Sequence, residues 1–439
     1  MSRVSVSTLG CKINQYDSAV LEDLLRRSGH TVAPFDGPSD IYIINTCTVT
    51  QRTDYKARQM IRKTRRRSPD AVVVVTGCYA QVGYEAIAAI GGVDYIIGNT
   101  GKVTLPGRIE ELDRQESPVI EVDPQVDETG GTLFDIESFS GHTRAFLKIQ
   151  DGCNAACAYC IIPRARGRSR SVPDAQVLEG LKRFKDASFR EVVLCGIHLG
   201  AYGLDLDTGT SLLDLLRLAE EAPTPERIRL SSIEPTEIST ELIELIRSSS
   251  KICPHLHIPL QSGDARVLEA MNRRYSPDEF HDLIMSIYRR IPQIAIGIDV
   301  ISGFPGEGDA AFDNTVKLLE ALPVAYLHVF PYSKRKGTEA SMREDQVPPE
   351  TIHNRASALR ALSRQKRLAY NSRFLGKRLP SLIERKRDRR TGMMQGLTRN
   401  YMVVIIEGGD ELVGEEVVVE VVKADERVVY GVLTGAGAS

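Results

Sequence analysis

Asp151 to Arg168 reads DGCNAACAYCIIPRARGR. Cys153, Cys157 and Cys160 fall within eight residues, so their side chains can converge on one compact metal centre. No histidine lies between Cys153 and Cys195, so a closed tetrahedral zinc site would have to borrow its fourth ligand from elsewhere. Three thiolates on a four-iron cluster would instead leave one iron with an open coordination position, a reactive arrangement. Spacing alone favours the cluster, keeps zinc as the alternative and leaves unbound thiols as the bland reading.

The loop follows a strand-like run, Ala145 to Gln150, and five more runs come after it: Glu191 to Gly196, Arg227 to Ile233, Leu256 to Leu260, Ile294 to Ile301 and Ala325 to Phe330. Helical patterns separate most of them, which predicts a partial (β/α)6 barrel with the cysteine loop at the carboxyl end of its first strand. The first hundred residues alternate in the same way. Strands are expected at Val4 to Thr8, Ile41 to Asn45, Val72 to Thr76 and Tyr95 to Gly98, with helices between them, giving an open parallel α/β sheet. After Tyr401 short β-rich runs and the Gly408-Gly409 turn suggest a small antiparallel β-barrel. The expected division is residues 1–112, an acidic linker at 113–138, a core at 139–372 and the barrel at 373–439. The linker reading rests on Glu110 to Glu137, where ten acidic residues face one basic residue, Arg114.

Across 439 residues, 42% hydrophobic and 26% charged composition excludes a chain disordered throughout. No apolar run is long enough to span a membrane and no signal-peptide pattern opens the chain, so a cytoplasmic protein is expected. Eight cysteines in a reducing compartment point to metal binding or catalysis before disulfides. The net charge of -2 argues against a uniformly basic nucleic-acid binder, but it averages unlike regions. Lys56 to Arg67 holds seven basic residues in twelve positions and Arg373 to Arg390 holds eight, whereas after Ile406 eight acidic residues face two basic ones. Such runs are usually solvated faces; two of them form a candidate RNA footprint.

Three further cysteines are dispersed: Cys11 in TLGCKINQYD, Cys47 in NTCTV and Cys78 in TGCYAQ. Each follows an expected strand by one to three residues, so all three belong at the carboxyl edge of one parallel sheet, where open α/β folds form their ligand crevice. A second cluster site is one reading; three small buried residues at strand ends is the other. Cys195 and Cys253 are assigned to packing.

The CNAACAYC loop, with aromatic Tyr159 before its last cysteine, resembles the radical S-adenosylmethionine enzymes. Together with the dispersed triad, the motifs NTCTV, GCYAQ, HIPLQSG and DVISGFPGE, and the terminal barrel, the chain is similar to the methylthiotransferases from Cys11 to about Val432. TLGCKINQYD and NTCTVT are most similar to the branch acting on threonylcarbamoyladenosine in tRNA. The isopentenyladenosine branch and the branch acting on a ribosomal-protein aspartate remain alternatives, and a zinc-dependent tRNA-binding protein is the non-enzymatic one.

The resemblance implies two 4Fe-4S clusters: one on Cys153, Cys157 and Cys160 that cleaves S-adenosylmethionine to a radical, and an auxiliary one on Cys11, Cys47 and Cys78 that supplies the sulfur. S-adenosylmethionine would be both methyl donor and radical source. Tyr159, Glu191, Gly196, Gln261, Ser262 and Asp299 match positions near strand ends that would bind it, with Glu191 taking the methionine amine; turn formation explains the glycine and a surface carboxylate the glutamate equally well. The barrel would be a TRAM domain contacting a tRNA anticodon stem-loop, with Arg399, Asn400 and Tyr401 as contacts. The reductant would be of the flavodoxin or ferredoxin type, and a monomer is the simplest expectation. His255 and His257 share one strand face and, without a third ligand nearby, read as packing or substrate-contact residues. The terminal TGAGAS reads as a frayed end.

Overall fold

A computed structural model describes residues 1–123, 139 and 141–434. The amino-terminal part contains β1 (Arg3–Thr8), α1 (Lys12–Arg27), β2 (Thr31–Val32), β3 (Ile41–Thr46), α2 (Gln51–Arg67), β4 (Val72–Gly77), α3 (Cys78–Ala88), β5 (Tyr95–Ile97) and β6 (Val119–Glu121). They form one parallel six-stranded sheet in the order β2-β1-β3-β4-β5-β6. IYII of β3 and VVVV of β4 are buried throughout, as continuous apolar runs are when helices cover both faces of a parallel sheet. Thr50 starts α2 by accepting the Thr53 amide.

Strand β6 falls in the stretch read as an acidic linker. Val119 and Ile120 supply β-propensity, and Arg108 takes the Glu121 carboxylate in two bonds of 2.6 and 2.7 Å, so local acidity does not prevent edge pairing. The remainder of that stretch, 124–138, and the terminal residues 435–439 lie outside the described residues.

The central part contains β7 (Ala145–Lys148), β8 (Gln150–Asp151), α4 (Ile162–Arg166), β9 (Arg170–Ser171), α5 (Asp174–Asp186), β10 (Glu191–Cys195), α6 (Leu212–Glu221), β11 (Arg227–Leu230), α7 (Thr240–Ser248) and β12 (His255–Gln261). It continues through α8 (Ala265–Ala270), α9 (Pro277–Arg290), β13 (Ala295–Ser302), α10 (Asp309–Ala321), β14 (Tyr326–Pro331) and α11 (Pro349–Ser372). Two parallel three-stranded sheets, β7-β10-β11 and β12-β13-β14, meet at a bridge between Ser232 and His257. The six strands thus follow chain order in an open partial barrel.

Helices close onto this barrel through apolar stripes at helical spacing. In α6, Leu212, Leu215, Leu216 and Ala219 are buried, and Ser211 with Asp214 forms a capping box; α9 repeats the device with Ser276, Glu279 and a Phe280, Ile284, Ile287 stripe. Each large apolar side chain so buried contributes roughly 1.5–3 kcal/mol.

Strands β15 (Arg378–Arg387), β16 (Met394–Thr398), β17 (Val403–Ile406), β18 (Glu416–Ala424) and β19 (Val429–Leu433) close a barrel in the order β15-β16-β17-β19-β18. Its pairs are antiparallel except β17 with β19, which run parallel. The barrel docks on the strand-start end of the central sheets. There Arg227 and Arg229, both fully buried, bond Glu191 at 2.7 Å and reach across to the Glu416 carboxylate and the Leu397, Thr398 and Arg399 carbonyls. No described helix is long and apolar enough to cross a membrane.

Candidate metal centres and the cavities beside them

The contiguous triad leaves β8 through Gly152, whose φ of +70° and close approach to the Arg168 carbonyl leave no room for a side chain. The loop then folds back, with the Cys153 amide donating to the Gly167 carbonyl and the Cys160 amide to the Cys157 carbonyl. Each sulfur meets an N–H or ring nitrogen: Cys153 the Ala155 amide at 3.3 Å and His198 Nδ1 at 3.5 Å, Cys157 the Arg273 guanidinium at 3.4 Å, Cys160 the Ile162 amide at 3.5 Å. Hydrogen bonds to sulfur favour thiolate. Burial opposes it, pushing the Cys160 thiol up to about 12, so this group gives up its proton only when a cation takes its place. The Cys153 sulfur and the Glu237 carboxylate, whose oxygen lies 2.6 Å from Nε2, outweigh burial and push the His198 imidazole up to about 10.

All three sulfurs line one cavity of about 210 Å³, whose walls include Tyr159, Glu234, Gln261, Arg273 and Asp299. A larger cleft of about 530 Å³ opens between the Asn154–Cys157 segment and Glu234, Glu237 and Arg273. A third, about 190 Å³, is lined by Val49 and Thr50 of the amino-terminal part and by Tyr159, Gln261 and Asp299 of the central part. It lies two residues from Cys47, at the seam between the two sheets.

The dispersed triad is assembled by topology. Cys11 caps α1 after β1, Cys47 follows β3 and Cys78 begins α3 after β4, and β1-β3-β4 are neighbours. Gly10, at φ +114°, would place a Cβ 2.4 Å from that of Cys47, so only glycine lets the Cys11 loop come this close. Cys47 and Cys78 are buried and Cys11 is exposed. Burial, and then the Cys78 and Cys11 sulfurs, push the Cys47 thiol up to about 12. The guanidinium of Arg166, from α4 of the central part, donates to Cys78 Sγ at 3.2 Å. Donor chemistry fits both triads to a thiolate-bound metal centre with an incomplete protein ligand set.

Asp299 receives His257 Nε2 at 2.7 Å and lies 3.5 Å from His328 Nδ1; burial opposes its charge, but the two imidazoles hold its carboxyl well below the usual carboxylate range. His257 therefore has the nearby partners that strand reading did not supply, because His328 stands on β14, two strands away. Below this layer His257 and His255 both contact the Tyr326 hydroxyl, at 3.3 and 2.9 Å, and His255 stacks on Tyr401 of the barrel at 4.1 Å. A polar column thus runs through the lumen from Tyr401 to the cavity.

Tyr159, Gln261 and Asp299 are brought to the cavity; three other expected residues are not. Glu191 sits at the opposite end with its oxygens taken by Arg227 and Arg229, so it has no carboxylate left for a ligand amine, a correction that follows from its place at the start of β10 rather than its end. Ser262 is fully buried, with its hydroxyl on Thr315 and on the Asp264 amide that opens α8. Gly196 is packed against Leu199 and Gln150. The expected RNA contacts Arg399, Asn400 and Tyr401 also turn inward: Arg399 pairs with Glu416 and the Ser250 carbonyl, Asn400 is buried against Thr398 and the Gln293 carbonyl, and Tyr401 covers His255. His198 and Glu234, not singled out from the sequence, obey the rule that located Cys47: a polar residue just beyond a strand end. Arg166 and Arg273 carry no such signal.

Residues 3–98 match the uncharacterized protein family UPF0004, residues 147–319 the radical SAM superfamily and residues 372–434 the TRAM domain. The chain is 39% identical to the threonylcarbamoyladenosine tRNA methylthiotransferase MtaB of Bacillus subtilis, over 97% of this chain and 94% of that one. It is 34% identical to the tRNA-2-methylthio-N(6)-dimethylallyladenosine synthase of Acetivibrio thermocellus, over 95% and 88%. A solved radical S-adenosylmethionine methyltransferase, TsrM from Kitasatospora setae, shares the fold at a TM-score of 0.55 and 17% identity, covering 77% of this chain and 75% of its own.

Proposed function

Since the chain belongs to the radical S-adenosylmethionine methylthiotransferase family, an enzyme family that uses S-adenosylmethionine and a 4Fe-4S cluster, we propose that it acts on tRNA, converting threonylcarbamoyladenosine beside the anticodon to its 2-methylthio derivative. The observation that carries this reading is that two separate thiol triads flank one loop: Cys153, Cys157 and Cys160 line a cavity that shares Tyr159 with a second one beside Val49, and Arg166 of the same loop bonds Cys78. Cys153, Cys157 and Cys160 hold the radical-generating cluster, and Cys11, Cys47 and Cys78 hold an auxiliary 4Fe-4S cluster.

The division suits the substrate. The target ring carbon bears a hydrogen that is neither acidic nor attached to a leaving group, so a general base or nucleophile has nothing to act on. The two clusters with S-adenosylmethionine supply radical hydrogen abstraction and the sulfur and methyl groups. The protein's own share is placement. Arg273 directs an N–H at the Cys157 sulfur, and His198 holds its Nδ1 against the Cys153 sulfur. Tyr159, backed edge to face at 6.4 Å by the buried Phe304, supplies an aromatic wall, and Gln261 and Asp299 offer polar atoms to a ribose or an adenine edge. The exposed positive residues of α2, Arg52, Lys56, Arg62, Lys63 and Arg66, with Tyr55 exposed among them, and Arg385, Lys386 and Arg389 of the barrel suit an anticodon stem-loop backbone. A flavodoxin or ferredoxin type reductant and a monomeric enzyme complete the proposal.

The threonylcarbamoyladenosine substrate rests on the TLGCKINQYD and NTCTVT motifs and on the more similar of the relatives. Nucleoside mass spectrometry of tRNA from a strain lacking the gene tests it. The 2-methylthio threonylcarbamoyladenosine peak should disappear. If that peak is unchanged the substrate is wrong, and loss of the 2-methylthio dimethylallyladenosine peak instead would move the enzyme to the other tRNA branch.

A further inference from the structure

Arg166 lies six residues beyond Cys160, yet its guanidinium points away from the contiguous triad and into the dispersed one. It is 2% exposed. Its Nε donates to Cys78 Sγ at 3.2 Å, Nη2 to Asn14 Oδ1 at 2.6 Å and Asp17 at 3.1 Å, and Nη1 to both oxygens of Asp151 at 3.0 Å. The same two carboxylates hold two lysines: Asp17 takes Lys102 and Lys148 at 2.9 Å, and Asp151 takes Lys148 at 3.1 Å. Among the described residues this network therefore joins three cations to two anions, an excess of one positive charge, and the one contact of the Arg166 guanidinium that is not to an amide or carboxylate oxygen is the Cys78 sulfur.

A buried charge without a counter-charge is strongly disfavoured, so the excess needs an anionic partner on the thiol side. Neutral thiols cannot provide it. Three thiolates on an oxidised four-iron core carry an overall charge of about −1, which balances the network. We propose that Arg166 is the charge-compensating and positioning residue of the dispersed triad: supplied by the loop that carries the radical-generating triad, it fixes the second centre's charge and its seating against the central domain. This role rests on the auxiliary-cluster reading above. It also explains why a guanidinium is used. A planar fork can serve a sulfur, an amide oxygen and two carboxylates at once, whereas an ammonium is a single point of charge.

The test is made in the full-length protein carrying Cys153→Ala, Cys157→Ala and Cys160→Ala, so that only the dispersed triad can hold iron. Iron and sulfide are counted after anaerobic reconstitution, and the one-electron midpoint potential is followed by electron paramagnetic resonance, in this background and with Arg166→Lys or Arg166→Gln added. The background should retain about four iron atoms. With Arg166→Gln the cluster should become harder to reduce, by tenfold or more in the reduction equilibrium, about 59 mV for a one-electron couple. Arg166→Lys should keep the iron and fall between. Loss of iron from the glutamine variant alone also supports compensation by charge. Loss from both variants, or an unchanged potential in both, overturns it. No iron in a folded background protein overturns the auxiliary-cluster reading itself, and this role with it.

Discussion

The two triads reach similar donor sets by opposite routes. Cys153, Cys157 and Cys160 owe their convergence to one short loop, pinned by Gly152 and by its own backbone bonds. Cys11, Cys47 and Cys78 converge because β1, β3 and β4 are hydrogen-bonded neighbours, and their cationic partner arrives from another domain. A centre built by a loop depends on local chain geometry. A centre built by a sheet edge depends on the packing of the whole sheet and on what docks against it.

Removing ligands should give the largest effects and break the comparison most directly. Cys153→Ala should abolish both S-adenosylmethionine cleavage and methylthiolation, each by more than about 10³-fold, a scale set by loss of the group that performs the chemistry. Cys47→Ala should stop methylthiolation equally while deoxyadenosine, assayed by chromatography, is still formed. If the two variants behave alike, the division of labour between the triads fails.

The docking interfaces separate the triads next. Asp17→Ala strands Lys102 and leaves Lys148 and Arg166 with Asp151 alone, and should cost about 3–5 kcal/mol in denaturant unfolding, with iron lost from the dispersed triad first. Glu191→Ala strands Arg229 and leaves Arg227 with Glu416 alone at the opposite end, with a similar expected cost, but should leave the iron count unchanged. Burial opposes the charge of Glu191, yet Arg229 and Arg227 hold its carboxyl well below its ordinary 4.5. Its folded value lies below its unfolded one, so its stabilisation is fully present above about pH 4.5 and declines as pH falls below that. Stability measured between pH 3 and 6 should therefore fall less steeply on acidification in Glu191→Gln than in the natural chain. An equal slope would remove Glu191 from the acid response.

The smallest effects belong to the surface. Lys56→Ala, Arg62→Ala and Lys63→Ala on the exposed face of α2 should each weaken tRNA binding a few-fold and reduce the salt slope by about one where a phosphate contact is lost. Filter binding across a salt series measures this, and an unchanged slope in all three would take α2 out of the RNA footprint.

The same contrast explains what could be read in advance. Strands and helices were legible where β3 and β4 carry continuous apolar runs and α6 and α9 carry stripes at helical spacing; β15, RLPSLIERKR, and β16, MQGLT, carry neither pattern and were not expected. The contiguous triad was legible from spacing, and the dispersed one from counting residues beyond each strand. Glu191 was misplaced because its position at a strand start put it on the far side of the sheet from the chemistry. Arg399 and Tyr401 were misassigned for a related reason: basic and aromatic residues on a small barrel look alike whether they face RNA or, as here, a neighbouring domain. Arg166 and Arg273 were invisible because their partners are distant in sequence, and only the tertiary fold brings a guanidinium to a sulfur.

The barrel's seat at the strand-start end carries one more consequence. Strand β12 has seven residues, from His255 beneath Tyr401 to Gln261 at the cavity, a rise of roughly 20 Å. On the proposed reading, an RNA held by the barrel passes along the outside of that height before a base reaches the mouth. The barrel and the cavity are then held apart by a fixed spacer, and on that same reading a stem too short to span it should bind the barrel and stay unmodified.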